Sequence, residues 1–204
     1  MYHFSKSMSF IRLLLVLSAL SLSGMAMTSN KTEKALMVTA GKNSESQGHF
    51  QHWKKFHSIP GQCAVAFPGA PEHVKQTMKL EEDDYNMQYD VYVATETNKQ
   101  AVFMVLIAQY PPYVNESCAE LSLECFLNGI LTQHPNNQLV FADLIEVQGH
   151  KGMDFFIKTK GMFFKGRAVM AGSNLYLVAM ECEEAHYKDH LFQYFINSFE
   201  LTKG

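Results

Sequence analysis

Three side chains near the C-terminal end have the types and spacing of metal ligands. They are Glu183, His186 and His190, and the surrounding pattern predicts a helix from about Glu183 to Asn197. Residues three or four apart share one face of a helix, and carboxylate and imidazole groups are both ligands of Zn²⁺. Because three candidate ligands do not complete a closed zinc site, we expect an ordinary solvated helix flank with no cofactor bound. The alternative is a zinc site on this last helix that uses these three side chains.

Four cysteines could form disulfide bonds if the chain is oxidised. Cys118 and Cys125 lie seven residues apart on one predicted helix, so their Cα atoms are about 10 Å apart. A disulfide requires roughly 4.4 to 6.8 Å, which excludes a bond between these two. Cys63 and Cys182 lie on predicted strands. We therefore expect at most two disulfides, each joining a helical cysteine to a strand cysteine, or, as the alternative, four free thiols that pack as small apolar residues.

Two pairs of adjacent phenylalanines mark a candidate binding surface. Phe155-Phe156 and Phe163-Phe164 lie on two predicted neighbouring strands. Successive side chains of a strand point to opposite faces, so each pair sends one ring to each face of the sheet. Either helices cover both faces and all four rings are core, or one face carries a partly exposed aromatic groove for a protein or an apolar ligand.

The sequence contains no motif that specifies a catalytic site. A Gly-x-Ser-x-Gly nucleophile motif is missing, and the cysteines lack the local signatures of cysteine proteases. The 204 residues include 17 basic and 20 acidic residues, a net charge of −3. Nucleic-acid binding is typical of a basic surface. We therefore expect a protein that is not an enzyme and does not bind nucleic acid.

The N-terminus has the three parts of a secretory signal peptide. Lys6 and Arg12 give a positive charge, Ile11 to Leu20 is mostly apolar, and Gly24 and Ala26 fit a signal-peptidase site. The apolar stretch is shorter than the roughly 20 residues that span a membrane. We predict a signal peptide over residues 1–26, with an uncleaved N-terminal anchor as the alternative.

The remaining chain then divides into a polar linker, residues 27–47, and one domain, residues 48–204. No later segment is long enough to span a membrane, and no cysteine lies near the cleavage site to carry a lipid anchor. We therefore predict that the protein is periplasmic or secreted and that it is not a lipoprotein.

Strands dominate the predicted domain, with a helix on either side of a strand-rich segment. Ala101 to Ala108 and Leu175 to Met180 have no polar side, so both of their faces must be covered. Ser117 and Glu120 form a capping-box pattern before a helix that extends to Gln133. Hairpin-length turns favour antiparallel pairing. We predict an α+β fold, a largely antiparallel sheet with helices packed on both faces, with further strands at Gln138–Val147, Met153–Lys160 and Met162–Ala171.

Several segments resemble the Mog1/PsbP-like fold group. The likeness is carried by Phe67-Pro-Gly-Ala-Pro71, by Gly149 to Phe155, by Gly166 to Tyr176 and by Phe195 to Phe199, and it covers roughly Phe50 to Leu201. The resemblance implies an α/β/α sandwich. Its members include a photosystem-associated subunit, a GTPase-binding protein and many exported bacterial proteins, which are mostly binding or assembly factors. Because its motifs are structural, it implies no catalytic residue.

Together these features predict a non-catalytic binding or assembly protein of the bacterial cell envelope. Its partner would be another envelope protein, while the oligomeric state stays open. The alternative function is a metal-binding envelope protein that uses Glu183, His186 and His190.

Overall fold

The computed structural model describes residues 50–80, 85–96 and 100–202. The predicted signal peptide, residues 1–26, and the predicted linker, residues 27–47, lie outside the described residues. Within those ranges the chain forms two sheets and two α-helices. The helices are α1, Ala119–Thr132, and α2, Asp189–Asn197.

The larger sheet has seven strands and the smaller one has three. The small sheet has the order β1-β2-β10, formed by Lys54–Ser58, Cys63–Phe67 and Glu200–Leu201. The large sheet has the order β3-β4-β5-β9-β8-β7-β6. In chain order its strands are β3 (Glu72–Leu80), β4 (Tyr85–Thr95), β5 (Ala101–Gln109), β6 (Gln138–Val147), β7 (His150–Thr159), β8 (Met162–Ala171) and β9 (Asn174–Glu183).

Every strand pair in both sheets is antiparallel. The predicted α+β class with a largely antiparallel sheet is thereby confirmed. The predicted bounds of β6 and β8 match the structure. The short C-terminal strand β10 pairs with β2, and β1 begins at Lys54 after a turn at residues 50–52.

Alternate residues of β9 belong to two different hydrophobic cores. Leu175, Leu177 and Ala179 lie in the core that contains the buried side of α1, which we call the α1 core. The intervening residues lie in a second core that contains the buried side of α2, the α2 core: Tyr176, Val178 and Met180. Since neighbouring residues of a strand point to opposite faces, β9 is apolar on both faces, which explains why its sequence has no polar side.

Three two-residue turns connect β6 through β9 into a continuous meander. The turn residues are Gln148–Gly149, Lys160–Gly161 and Gly172–Ser173, and in each case the flanking residues pair directly. Both residues of the first two turns have positive φ: 52° and 85°, then 38° and 79°. This is the backbone that joins two twisted antiparallel strands most directly, and glycine adopts it without a Cβ clash.

The start of α1 differs from the prediction. Ser117 does not cap it. Instead the Asn115 side chain accepts a hydrogen bond from the Ser117 backbone N–H at 3.0 Å and begins a short 3₁₀ turn, Glu116–Cys118. The α-helix then begins at Ala119 with no side-chain cap. Asn115 starts the turn in place of Ser117 because its amide oxygen accepts a hydrogen bond from the N–H two residues later.

The second helix is also shorter than predicted. Glu183 is the last residue of β9, a 3₁₀ turn covers Glu184–His186, and Lys188 is extended, so α2 begins only at Asp189. Its buried side is Leu191, Phe192, Phe195 and Ile196. The helix begins later than predicted because pairing with β8 extends β9 to Glu183.

One carboxyl group lies inside the sheet. Glu181 is only 2% exposed, it is opposite Phe164 on β8 and Val102 on β5, and its Oε2 atom has no hydrogen-bond partner in the described part of the chain. Burial raises the pKa of Glu181 to about 8. The side chain is therefore largely protonated at neutral pH, since a buried neutral carboxyl costs much less than a buried carboxylate.

We expect substitution of Gly161 to show that the turn backbone is strained for other residues. A Cβ at Gly161 would meet nothing within 4 Å, so only its φ of +79° opposes a side chain. Gly161→Ala should lower the free energy of unfolding by about 1–2 kcal/mol. Gly69→Ala is the matched control, because its Cβ also meets nothing and its φ is not positive. Equal effects in urea unfolding would contradict the assignment.

Glu181 should make folding stability fall as pH rises. Its pKa is higher in the folded chain, so the folded state binds more protons than the unfolded state between about pH 4.5 and 8. The free energy of unfolding then falls by up to about 1.4 kcal/mol per pH unit across that window. Glu181→Gln should remove this slope in denaturant titrations between pH 5 and 8. The exposed Glu183→Gln is the control and should keep it.

Candidate binding site

Six side chains from three strands, the segment before α2 and the first residue of α2 form a cluster on one face of the large sheet. β6 contributes one ring, β7 another, and β8 a ring and a lysine. Phe141 lies directly opposite Phe156, which lies directly opposite Lys165, and residues directly opposite one another share a face. We call the cluster the lysine–aromatic patch; its members are Phe141, Phe156, Phe163, Lys165, Tyr187 and Asp189.

The rings of the patch contact each other edge to face and in parallel. Phe163 is perpendicular to Phe156, with ring centres 4.9 Å apart, and Tyr187 stacks on Phe156 at 5.4 Å. Phe141 reaches Phe156 from β6 at 6.1 Å. These are the favourable geometries for aromatic pairs. All four rings are half-buried, so each keeps part of its surface exposed to solvent.

Lys165 occupies the middle of the patch. Its Nζ lies 4.9 Å from the centre of the Phe192 ring and between 5.6 and 5.8 Å from the ring centres of Phe156, Tyr187 and Phe141. It donates a hydrogen bond to the Tyr187 hydroxyl oxygen at 3.0 Å and forms an ion pair with Asp189 at 2.6 Å. An ammonium group over aromatic faces is attracted by their negative electrostatic potential, so the lysine holds the rings together.

Electrostatics fix the protonation states at the centre of the patch. Burial raises the pKa of Asp189, but hydrogen bonds from Lys165 and Tyr187 outweigh it and the net pKa is lowered. Burial and the hydrogen bond that its hydroxyl donates to Asp189, 2.6 Å long, raise the pKa of Tyr187. At neutral pH the centre therefore holds an Asp189 carboxylate, which pairs with Lys165, and a neutral Tyr187 phenol.

Two further ion pairs flank the patch. Arg167 donates two hydrogen bonds to Asp154, at 2.7 and 2.8 Å, a bidentate geometry. Lys158 pairs with Glu184 at 2.8 Å and lies over the Phe163 ring at 5.5 Å. Each of these cations thus has its own carboxylate, as Lys165 does. What the patch offers to a ligand is therefore aromatic surface with little net charge.

The structure separates the four predicted aromatic residues into two pairs. Phe156 and Phe163 are in the patch. Phe155 and Phe164 are fully buried in the α1 core, so the interpretation of an exposed groove is wrong for these two. The reason is that α1 packs on their face, and Phe155 lies where a Cβ on Gly166 would approach its Cζ to 2.6 Å.

The predicted metal ligands do not share a helix, and this corrects the premise of the zinc site. Glu183 ends β9, His186 ends the 3₁₀ turn and His190 lies in α2. His186 Nδ1 is 3.5 Å from Glu183 Oε2, but the His190 ring lies 6.2 Å from the ring of Phe50. Among residues 50–80, 85–96 and 100–202, no group of three or more His, Cys, Asp or Glu side chains is placed to hold a metal ion.

All four cysteines are free thiols, so the hypothesis of helix-to-strand disulfides is corrected in favour of its alternative. Cys63 and Cys182 are buried in the α2 core, whereas Cys125 lies within α1 and Cys118 just before it, and both are only partly buried. Burial raises the pKa of Cys63 to about 11 and that of Cys182 to about 12, so both are protonated thiols at neutral pH.

Sequence reasoning missed four members of the patch: Phe141, Lys165, Tyr187 and Asp189. A signal for the first two was present. Two-residue turns at Gln148–Gly149 and Lys160–Gly161 fix which residues are opposite, and counting outward from each turn pairs Phe156 with Phe141 and with Lys165. Tyr187 and Asp189 had no such signal, because their contacts with β8 depend on how the segment before α2 folds back.

No protein-family model matches the sequence, and no curated protein matches it. Among solved structures, the solution structure of cyanobacterial PsbP (CyanoP) from Synechocystis sp. PCC 6803 is similar over 79% of this chain and 98% of its own, with a TM-score of 0.52 and 10% sequence identity. The domain has the PsbP-like fold. The predicted resemblance in fold is thereby confirmed.

Two other solved structures are less similar to the PsbP-like domain. One is a crystal structure from Bacteroides thetaiotaomicron VPI-5482, with a TM-score of 0.40 and 10% identity over 75% of this chain and 50% of the other. The other is the protein of unknown function PA94 from Pseudomonas aeruginosa, a putative regulator by its description, with a TM-score of 0.35 and 8% identity over 69% of this chain and 89% of the other.

In the part of the chain that the structure describes, no helix combines the length and apolar character needed to cross a membrane.

Removal of the Lys165 side chain should loosen the patch more than removal of its charge. Lys165→Ala deletes the stem that fills the space between the rings and should lower the free energy of unfolding by about 1–3 kcal/mol. Lys165→Met keeps an unbranched stem, so we expect a change within about 1 kcal/mol. Lys158→Ala is the control for a more exposed lysine near a ring and should cost under about 1 kcal/mol. Equal losses for both alanine variants in urea unfolding would contradict the central role of Lys165.

Proposed function

We propose that this chain is a non-catalytic binding or assembly protein of the bacterial cell envelope, and that the lysine–aromatic patch is where it contacts another envelope protein. The observation that carries the proposal is the state of the patch: four half-buried rings around cations that already have internal carboxylate partners. Such a surface supports association, since aromatic side chains with exposed area contribute strongly to protein interfaces.

The arrangement of the domain supports a surface role for this face. α1 packs against β6, β7 and β8, while α2 packs against β9 and β2. We infer a sandwich with α1 on one face of the large sheet and α2 on the other, supported by the alternation of β9 residues between the α1 core and the α2 core. In this arrangement α2 covers the middle of its face and leaves β6 and β7 with partial cover.

The proposed location in the cell envelope rests on the sequence. Lys6 and Arg12, the apolar stretch from Ile11 to Leu20, and Gly24 and Ala26 form the signal-peptide pattern. Export would deliver the domain, without residues 1–26, to the periplasm or the medium. The PsbP-like fold is compatible with many functions, so the binding proposal depends on the patch and not on the fold.

Photocrosslinking in cells tests both parts of the proposal. Benzoylphenylalanine placed at Phe163 should give one discrete adduct with an envelope protein, whereas the same group at Leu121 should not. Leu121 is the matched control, because it is 62% exposed and lies on α1, away from the patch. The recovered chain should begin at Met27 or within a few residues of it in N-terminal sequencing.

The proposal fails if the adducts at the two positions are the same or if the Phe163 position gives none. An intact Met1 on protein from the cytoplasmic fraction would contradict the proposed export, independently of the crosslinking result.

A further inference from the structure

The large sheet ends in two edge strands of very different character. β3 is one edge and β6 is the other. Among the described residues, β6 pairs only with β7, so the outer side of this ten-residue strand has unpaired backbone N–H and C=O groups. An unpaired edge is a template for another strand unless the sequence protects it.

The β3 edge carries such protection and the β6 edge has less. Residues 72–77 of β3 are all exposed, and they include Glu72, His73 and Lys75. β6 contains no basic residue and no proline. It holds three large apolar side chains that are exposed: Leu139 at 44%, Val140 at 55% and Leu144 at 49%. Lysine and proline are the residues that natural proteins use to block edge pairing.

A bulge limits the usable part of the edge. The register of β6 shifts between Leu139 and Phe141, with Val140 as the extra residue, and from Phe141 to Val147 the pairing with β7 is regular. Within this regular segment, Ala142 and Leu144 lie opposite Phe155 and Met153 of the α1 core. Phe141 lies on the other face, in the lysine–aromatic patch. An added strand would therefore find apolar neighbours on both faces.

Charge along this segment is negative, and neither of its carboxylates belongs to an ion pair among the described residues. Asp143 is directly opposite Asp154, but Asp154 is engaged by both hydrogen bonds from Arg167. In the described part of the chain no ion pair includes Asp143. Two carboxylates directly opposite each other repel, so a cation beside Asp143 on a third strand would relieve this repulsion.

Glu146 is the second acidic residue of this segment, and it lies on the other face of β6. It lies opposite Lys151, and Lys151 forms its ion pair with Glu120 of α1 at 2.9 Å. No ion pair of Glu146 occurs within residues 50–80, 85–96 and 100–202. Asp143 and Glu146 are both exposed, and they are three residues apart on opposite faces of β6.

We propose that the β6 edge binds an extended segment of a partner protein, and that this segment pairs antiparallel with Phe141–Val147 and carries basic residues opposite Asp143 and Glu146. This rests on the proposed binding function and specifies its partner. Read from the residue opposite Glu146 to the residue opposite Phe141, the segment is basic, apolar, apolar, basic, apolar, aromatic. Antiparallel pairing is expected because it continues the pattern of the whole sheet.

A second copy of this chain does not fit the same edge. The charged residues of β6 are Asp143 and Glu146, and both are acidic. Two β6 strands paired with each other would bring four carboxylates together with no cation on either strand, which is unfavourable. Charge complementarity therefore favours a basic partner segment over self-association.

The test uses the full chain after export and a capped peptide, Lys-Val-Val-Lys-Val-Phe, labelled for fluorescence anisotropy. A second peptide with both lysines replaced by glutamate should bind at least about tenfold more weakly, because two attractive contacts become repulsive. Leu144→Lys adds a charge to the edge and should weaken binding of the lysine peptide by a similar factor. Val74→Lys is the matched control, because it places the same charge on the other edge strand at a residue that is 42% exposed.

Two further measurements separate strand pairing from other modes of binding. Replacement of both acidic residues, Asp143→Lys together with Glu146→Lys, should reverse the preference between the two peptides, because both charge contacts then change sign. N-methylation of alternate peptide nitrogens should abolish binding when the blocked nitrogens face β6 and leave it unchanged when they face away, since only backbone pairing needs those N–H groups.

The inference is overturned if both peptides bind equally, if Val74→Lys weakens binding as much as Leu144→Lys, or if both N-methylated forms bind. It is also overturned if sedimentation shows a dimer that Leu144→Lys abolishes, since a second copy would then cover the edge. If the crosslinked adduct at Phe163 persists unchanged in the Leu144→Lys chain, the edge inference fails while the proposed binding function stands.

Discussion

The positions of the patch side chains depend on the hydrogen-bond register of two hairpins. Gln148–Gly149 and Lys160–Gly161 are tight turns with positive φ at both residues, and such turns allow only one pairing of the flanking strands. Phe141, Phe156 and Lys165 come into one row because Phe156 is the seventh residue after Gly149 and the fourth before Lys160. A slip of one residue would send Phe156 to the α1 core and Phe155 to the surface.

The same alternation gives the two faces of β7 and β8 different roles. On one face, Phe155 and Phe164 are fully buried beneath α1. On the other face, Phe156 and Phe163 are only half-buried. Lys165 makes this exposed aromatic face partly polar. Its stem fills the space between the rings, and Asp189 neutralises its charge.

Sequence alone could predict those parts of the molecule that depend on local pattern. The bounds of β6 and β8 follow from alternation and from turn residues, and the α+β class follows from the order of elements. Phe141 and Lys165 could have been placed by counting from the turns. The start of α2 could not, because Glu183 has the spacing of a helical residue and joins β9 only through its pairing with Met162. The shared helix assumed for a zinc site is wrong for this reason, and no local pattern shows that Cys63 and Cys182 belong to the α2 core.

Charge then distinguishes the centre of the proposed binding surface from its border. Lys158, Lys165 and Arg167 each have a carboxylate within 2.8 Å, so the interior of the patch is neutral, and its attraction for the proposed partner would be short-ranged and apolar. At the border, Arg167 binds Asp154, and within the described ranges no ion pair includes Asp143. A long-range field steers the approach of a partner, and packing decides whether it stays. The acidic edge of β6 would therefore select basic segments on approach, while the rings beside it would set how long such a segment remains bound.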